Sequence, residues 1–329
     1  MRSLACLALA LALALPAEAQ DRLYNQAALE ALMYAHRDSL DALPHVTYRY
    51  YVLEHETNNS IFARNDLYRA VGDGDARAGR EKLGMVAFLN RIYLDDLAIG
   101  DTLVLPSHFD LDARAYAPFP REYAGARPLG KLFVIHMGVQ AWAAYEDGRL
   151  VRWGLVNTGG PESRTPAGRF NFNWKEEARV STLSPPGERW FMRYVFNFHD
   201  RRGIHIHQYH LPSGAPGSHG CVRMMLADAR WIYHWADGWQ TTAGSAADGY
   251  ASRSGRVLRQ GTTVLVLGAG EEPDGPPRRF VHTPEGPVLR VVDLPADPYS
   301  VPAGTEQQRA FDQQRRAQQS ARPAARARA

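Results

Sequence analysis

Apolar positions change their period several times along this chain. Between residues 21 and 42, Leu23, Ala27, Leu29, Leu32, Met33 and Ala35 recur at helical spacing. Residues 46–53 are aromatic and β-branched (Val46, Thr47, Tyr48, Tyr50, Tyr51, Val52) and predict a strand. Residues 70–82, rich in Gly, Asp and Arg, read as a loop or exposed turn. Leu89-Asn90-Arg91-Ile92 then precedes Gly100-Asp101-Thr102-Leu103-Val104-Leu105-Pro106, a glycine turn feeding a short apolar strand that proline ends.

From Lys131 onward the period becomes that of strands. Leu132-Phe133-Val134-Ile135 is an unbroken apolar run of the fully buried kind. Ala141 to Trp153 reads as strand, turn, strand, with Asp147-Gly148 as the hairpin signal. Phe170 to Trp174 and Tyr194 to Phe198 alternate, and Gly203 to His207 is a further short strand. Residues 225–236 carry Leu226, Ala229, Ile232, Tyr233 and Ala236 at helical spacing, a Gly/Ser/Ala loop follows at 243–255, and Thr262 to Leu267 is a last strand closed by Gly268. Many short strands with one helix predict a mainly β fold, a sandwich or barrel over 130–268. A small α+β region at 20–129 precedes it, and a proline-rich extended arm at 269–301 follows.

The ends differ from the body. Residues 1–19 fit a secretory signal peptide: Arg2, an apolar run from Leu4 to Leu15 too short to span a bilayer, and a small-x-small site at Ala17-Glu18-Ala19. An exported protein of the periplasm or cell envelope is expected. Residues 302–329 hold six Arg against Glu306 and Asp312, a charge of +4, so the rest of the chain carries +3 − 4 = −1. The basic character belongs to this tail, which is expected to be solvated, disordered or a frayed helix, and able to meet an anionic wall polymer or membrane surface. Nothing in the pattern suggests nucleic-acid binding, and nothing in it fixes an oligomeric state.

The chemistry concentrates in Ser218-His219-Gly220-Cys221-Val222-Arg223. The chain has two cysteines, and Cys6 lies in the segment expected to be removed. Cys221 therefore has no partner for a disulfide and is a candidate nucleophile. Gly220 lets the backbone bend beside it, so the amides of Gly220 and Cys221 are candidate oxyanion donors. Upstream, His205 and His207 fall on one face of a strand, so either can serve as the base. His205, His207, His210, His219 and Cys221 could form a metal site. They lack interleaved acids and ligand spacing such as Cys-x-x-Cys, so no metal and no cofactor are expected.

The run Ser218 to Arg223 resembles the signature of the L,D-transpeptidase (YkuD-like) family. Residues 207–223 are similar to a subgroup with His-Gln-Tyr-x-Leu-Pro ahead of the cysteine motif. Thr165-Pro166-Ala167-Gly168 resembles the family's Thr-Pro-x-Gly turn, Asn157-Thr158-Gly159 its approach to it, and Gly261-Thr262-Thr263-Val264 its closing strand. The resemblance implies that Cys221 attacks the amide between an L-centre and a terminal D-residue of a peptidoglycan stem peptide. A thioester forms, and an acceptor amine resolves it. His207 is favoured as base by the His-Gln-Tyr run, with His205 as the alternative. Ser218, His219, Gly220 and Arg223 support the oxyanion or the loop. A hydrolase of the same fold, trimming wall peptides, and a non-catalytic wall-binding protein are the alternatives. Residues 85–106 separately resemble the end of a LysM glycan-binding module.

Overall fold

The computed structural model describes residue 31 and residues 39–109, 112–199, 201–209, 211, 215–242, 257–273 and 279–326. The expected signal peptide, most of the expected helix over 21–42, His210 and the 243–255 loop lie outside the described residues.

The chain is mainly β, as expected. A curled sheet of 9 strands runs in the order β6-β13-β3-β4-β5-β10-β9-β8-β7. Its strands are β3 (Lys131–His136), β4 (Ala141–Glu146), β5 (Arg149–Asn157), β6 (Gly168–Asn171), β7 (Trp174–Val180), β8 (Phe191–His199), β9 (Ile204–Gln208), β10 (Val222–Met224) and β13 (Thr263–Leu267), while β11 (Gln240–Thr241) and β12 (Val257–Arg259) pair apart from it. Residues 170–174, which read as one alternating strand, are split between the two edges of this sheet. Phe172 donates its N–H to Thr262 on the β13 side, and Asn173 donates to Asn197 on β8. The sheet curls so that these edges meet. Phe172 lies against Phe196 with ring centroids 4.3 Å apart, and Phe170 meets Phe198 edge-on at 5.4 Å.

Both faces of the central strands are covered, which accounts for the unbroken apolar run in β3. Phe133 and Ile135 point into the curl with Trp142, Phe170, Phe196, Ile206 and Val222. Leu132 and Val134 point outward with Ala143, Tyr145 and Trp153, against Phe88, Leu89, Tyr116 and Phe119 of the preceding region. The helix Leu226–Trp235 follows β10, and its buried Asp228 pairs with buried Arg152 of β5 at 2.5 Å.

The preceding region contains a β-α-α-β unit. Strand β1 (Tyr48–Val52) pairs antiparallel with β2 (Thr102–Pro106), with helices Ser60–Val71 and Ala76–Asn90 between them. The second helix begins inside the stretch that reads as a loop. Asp75 caps it, accepting from the N–H of Arg77 at 2.8 Å, and Gly79, one of its two glycines, is a packing device. A Cβ on Gly79 would stand 1.8 Å from the Tyr68 carbonyl oxygen, so glycine is what lets the two helices touch. Asn90 ends the helix by bonding both the N–H (2.7 Å) and the carbonyl (2.8 Å) of Val104. Strand β1 falls on the stretch 46–53 that reads as a strand. Buried Arg91 joins the unit to the large sheet, donating to the Gln140 carbonyl at 2.9 Å and to that of Val156.

The arm at 269–301 is not wholly extended. It forms a hairpin of β14 (Phe280–Thr283) and β15 (Gly286–Leu289), and Arg279 ahead of it donates to the carbonyls of Phe88 and Leu89. In the tail, Glu306–Arg326 is helical. Its first turns are docked. Arg169 of β6 pairs with Asp312, one contact measuring 3.1 Å, and both side chains are largely withdrawn from solvent. The backbone of Arg169 bonds Pro302 and Gly304, each at 2.8 Å, so the strap lengthens the sheet edge. Composition concealed this because two polar residues carry the contact.

Removing one partner of a buried ion pair leaves the other charge uncompensated, at about 3–5 kcal/mol. Asp312→Ala is therefore expected to lower the urea midpoint substantially, whereas Asp312→Asn, which still accepts a hydrogen bond, should lose less. Equal stability of Asp312→Ala and the parent protein would show that Arg169 does not depend on the strap.

Candidate active site

Strand pairing builds the site. β9 lies parallel to β10 with Val222 opposite Ile206 and Arg223 opposite His207. One step back, the same register sets Cys221 beside His205. Cys221 Sγ stands 3.8 Å from His205 Nδ1. The ring expected at the thiol, that of His207, is elsewhere. Its Nδ1 donates to the Gln208 carbonyl at 2.9 Å, and it sits one side-chain repeat further on, across from Arg223. The alternative, His205, is the imidazole that meets the cysteine. Both histidines are buried, and Cys221 keeps partial access to solvent.

The loop before Cys221 is held by a dense set of bonds. Ser218 pairs with Gly159 as an isolated bridge, donating its N–H to Thr158 O at 3.0 Å and accepting from Gly160 N–H at 2.8 Å. The Ser218 hydroxyl donates to the Cys221 carbonyl and accepts from the Gly220 N–H at 3.1 Å. In the chain without substrate, the Gly220 amide is thus engaged by the Ser218 hydroxyl. Gly220 has φ +105°, a region that side-chain-bearing residues rarely adopt, so its role is to turn the chain. Thr165 donates its hydroxyl to Gly220 O at 2.8 Å and Ser163 donates to His219 O at 3.0 Å. His219 is exposed, with its ring stacked on Trp190 at 5.3 Å. Arg223 lies over the Tyr209 ring at 4.8 Å.

Residues 132–266 match the YkuD family model, the L,D-transpeptidase catalytic domain. No curated protein matches the chain. Solved structures similar to it are L,D-transpeptidases. One from Mycobacterium smegmatis is 19% identical, over 42% of this chain and 58% of that one, with a TM-score of 0.32. One from Stackebrandtia nassauensis is 22% identical, over 63% and 76% of the two chains, at TM-score 0.32. One from Xylanimonas cellulosilytica is 21% identical, over 70% and 100%, at TM-score 0.35. The chain spans less than two thirds of the Mycobacterium smegmatis protein.

Around the matched segment, Gln140, Trp174 and Arg179 were not singled out by sequence, whereas Asn157 was. Gln140 clamps Thr158 from both sides, accepting from its N–H at 3.0 Å and donating to its hydroxyl at 2.7 Å. Asn157 ties down the 215–217 turn through Ala215 O and Gly217 N–H. Trp174 meets His205 edge-on at 5.1 Å, and Arg179 lies over Trp174 at 5.4 Å. Gln140 carries no motif, and Trp174 reads as an ordinary core aromatic. Among the described residues, no group of three His, Cys, Asp or Glu side chains is placed to hold a metal ion.

Burial dominates the electrostatics. It pushes the Cys221 thiol up, against a backbone hydrogen bond from His205 and the cations of Arg223 and Arg179, which act the other way. Burial also lowers His205 to about 3, helped by His207 and Arg179. It lowers His207 to about 4, against its bond to Gln208 and with Arg223 adding to the effect. Burial thus favours the neutral thiol and the neutral imidazole.

Free histidine titrates near 6.5. Below that pH the unfolded chain takes up protons that the folded chain refuses until about 4 for His207 and about 3 for His205. The unfolded state binds more protons across this window, so stability is present above it and is lost as pH falls through it. The slope from each ring approaches about 1.4 kcal/mol per pH unit. Melting temperature is expected to drop between pH 6.5 and 4, and to drop less in a His205→Gln/His207→Gln double variant. A parent melting temperature that stays flat over this range would contradict two buried neutral rings.

Proposed function

We propose that the chain is a peptidoglycan L,D-transpeptidase in which Cys221 is the nucleophile and His205 its base. The observation that supports this most is the contact of Cys221 Sγ with His205 Nδ1 inside the segment matched by the family model. The acyl donor is a stem peptide ending in an L-centre followed by D-alanine. Sγ attacks the carbonyl carbon of that amide as His205 Nδ1 takes the thiol proton. Because the pair rests neutral, proton transfer accompanies attack instead of preceding it. The Cys221 amide stabilises the oxyanion, on a loop that Thr165, Ser163 and Ser218 hold rigid. On collapse the C–N bond breaks, the imidazolium protonates the departing amine, and D-alanine leaves a thioester behind.

An acceptor amine, typically the side chain of another stem's third residue, then attacks the thioester. His205 takes its proton and returns it to the sulfur, closing the cycle with a new amide crosslink. The thioester conserves the energy of the broken amide, so nucleotide hydrolysis has no part in the cycle. Water in place of the amine gives the hydrolytic reading of the same site. The reading includes export by residues 1–19 to the cell envelope, wall binding by the β-α-α-β unit, and attraction of the basic tail to anionic surfaces.

Intact-mass measurement with a tetrapeptide stem donor tests the reaction. A thioester adduct on Cys221, absent in Cys221→Ala, is expected. Product analysis with and without an acceptor amine separates crosslinking from hydrolysis. Since a positioned base contributes about 10²–10⁴-fold, His205→Ala should lose that much acylation rate and His207→Ala far less. A near-normal His205→Ala with an inactive His207→Ala would return the role to the ring that the His-Gln-Tyr motif favours.

A further inference from the structure

A base that receives a proton on one ring nitrogen must carry a hydrogen on the other. With His205 Nδ1 facing sulfur, that hydrogen is on Nε2 in the reading proposed above, on which this inference rests. Nε2 is buried, and it meets no hydrogen-bond partner among the described residues. Polar groups stand close by but are engaged. Asn197 is opposite His205 across β8 and β9. Its amide oxygen accepts from Asn173 at 3.0 Å, and its amide nitrogen donates to the carbonyls of His199 and Ile204 at 3.2 and 3.3 Å. Glu176 on β7 is tied to Arg179 at 3.3 Å.

What His205 does meet is the Trp174 indole. The two residues occupy one cross-strand row, Trp174 opposite Asn197 and Asn197 opposite His205. Their rings are 5.1 Å apart at the centroids and inclined at 67°, the arrangement in which the edge of one ring meets the face of the other. Trp174 is itself 8% exposed, so the contact is screened from water. We propose that the face of the Trp174 indole is the acceptor of the His205 Nε2–H, and that Trp174 is the positioning residue for the base.

The π-face does two things that a carboxylate does at other sites. It receives the neutral N–H and so selects the tautomer that leaves Nδ1 bare. Once the proton has moved, it attracts the imidazolium by the ring quadrupole. Unlike a carboxylate, it brings no negative charge, so the ring stays neutral at rest. Arg179 strengthens that bias: it lies over the same indole at 5.4 Å and competes for it. The other titratable groups around His205 are His207 from β9 and Cys221 just ahead of β10, and Arg223 of β10 acts on both of these. The residue facing it from β8 is the uncharged Asn197.

The wild-type protein with 15N-labelled histidine provides the first test. The His205 resonances, assigned with His205→Gln, should show the Nε2–H tautomer at pH 7, with its proton shifted upfield by the indole ring current. An Nδ1–H tautomer, or an unshifted Nε2–H, would overturn the proposal. The second test is the rate of Cys221 alkylation by iodoacetamide, paired with kcat and KM on a stem peptide. Trp174→Leu should lower alkylation and kcat about tenfold with KM unchanged. Trp174→Phe retains a ring face and should stay within about threefold of wild type. Equal losses in both variants, or none in Trp174→Leu, would overturn the role. His205→Ala in the same alkylation assay separates the two levels. If it reacts like wild type, both the base assignment and this inference fall. If it is slow while Trp174→Leu is normal, only the inference falls. Should Trp174→Leu fail to fold, the wild-type spectrum decides.

Discussion

The parallel pairing of β9 with β10 is the constraint on which the site depends. Parallel strands cannot be joined by a tight turn, so the chain must leave β9, loop, and return in the same direction. The loop that this requires is the one that carries Ser218, His219 and Gly220. The register of the pair then decides the chemistry. A shift of one residue would turn Cys221 to the opposite face, and a shift of two would bring it to His207. Val222 and Ile206 are both buried in the curl, so the apolar core sets a register that the polar residues alone would not.

Around that pairing, the structure invests in rigidity rather than in charge. Thr165, Ser163, Gln140 and Asn157 are all short polar side chains, and each ties a backbone group of the Cys221 loop or of its neighbour at 157–160. No step of the proposed cycle needs them to ionise. Their effect is to hold the loop before a substrate arrives, so that less reorganisation is left for the reacting complex. Burial, meanwhile, keeps both members of the Cys221–His205 pair uncharged.

Much of this was legible in the residues. The glycine and cysteine motif singled out Cys221, the two-residue alternation put His205 and His207 on one face, and the runs from Leu132 to Leu267 marked a mainly β domain. The choice between the histidines was not legible, because it depends on pairing across a spacer whose path no local pattern determines. The motif pointed to His207, whereas the register presents His205. The helix from Ala76 was hidden for a different reason. Gly79 lowers helical propensity, and its value appears only when Tyr68 is seen packed against it. The docking of the tail was hidden as well. Asp312 is one acid among glutamines and arginines, and only the fold shows that Arg169 waits for it.

The strap also has a consequence for the order of events in making the protein. Arg169 opens the strand that follows Thr165, and Thr165 bonds the carbonyl of Gly220. The contact that neutralises Arg169 spans 143 residues of chain. A growing chain therefore holds Cys221, His205 and the residues that bond their loop well before it holds the carboxylate that settles the neighbouring sheet edge. The sheet edge that carries Arg169 is therefore completed only when the far end of the chain has arrived.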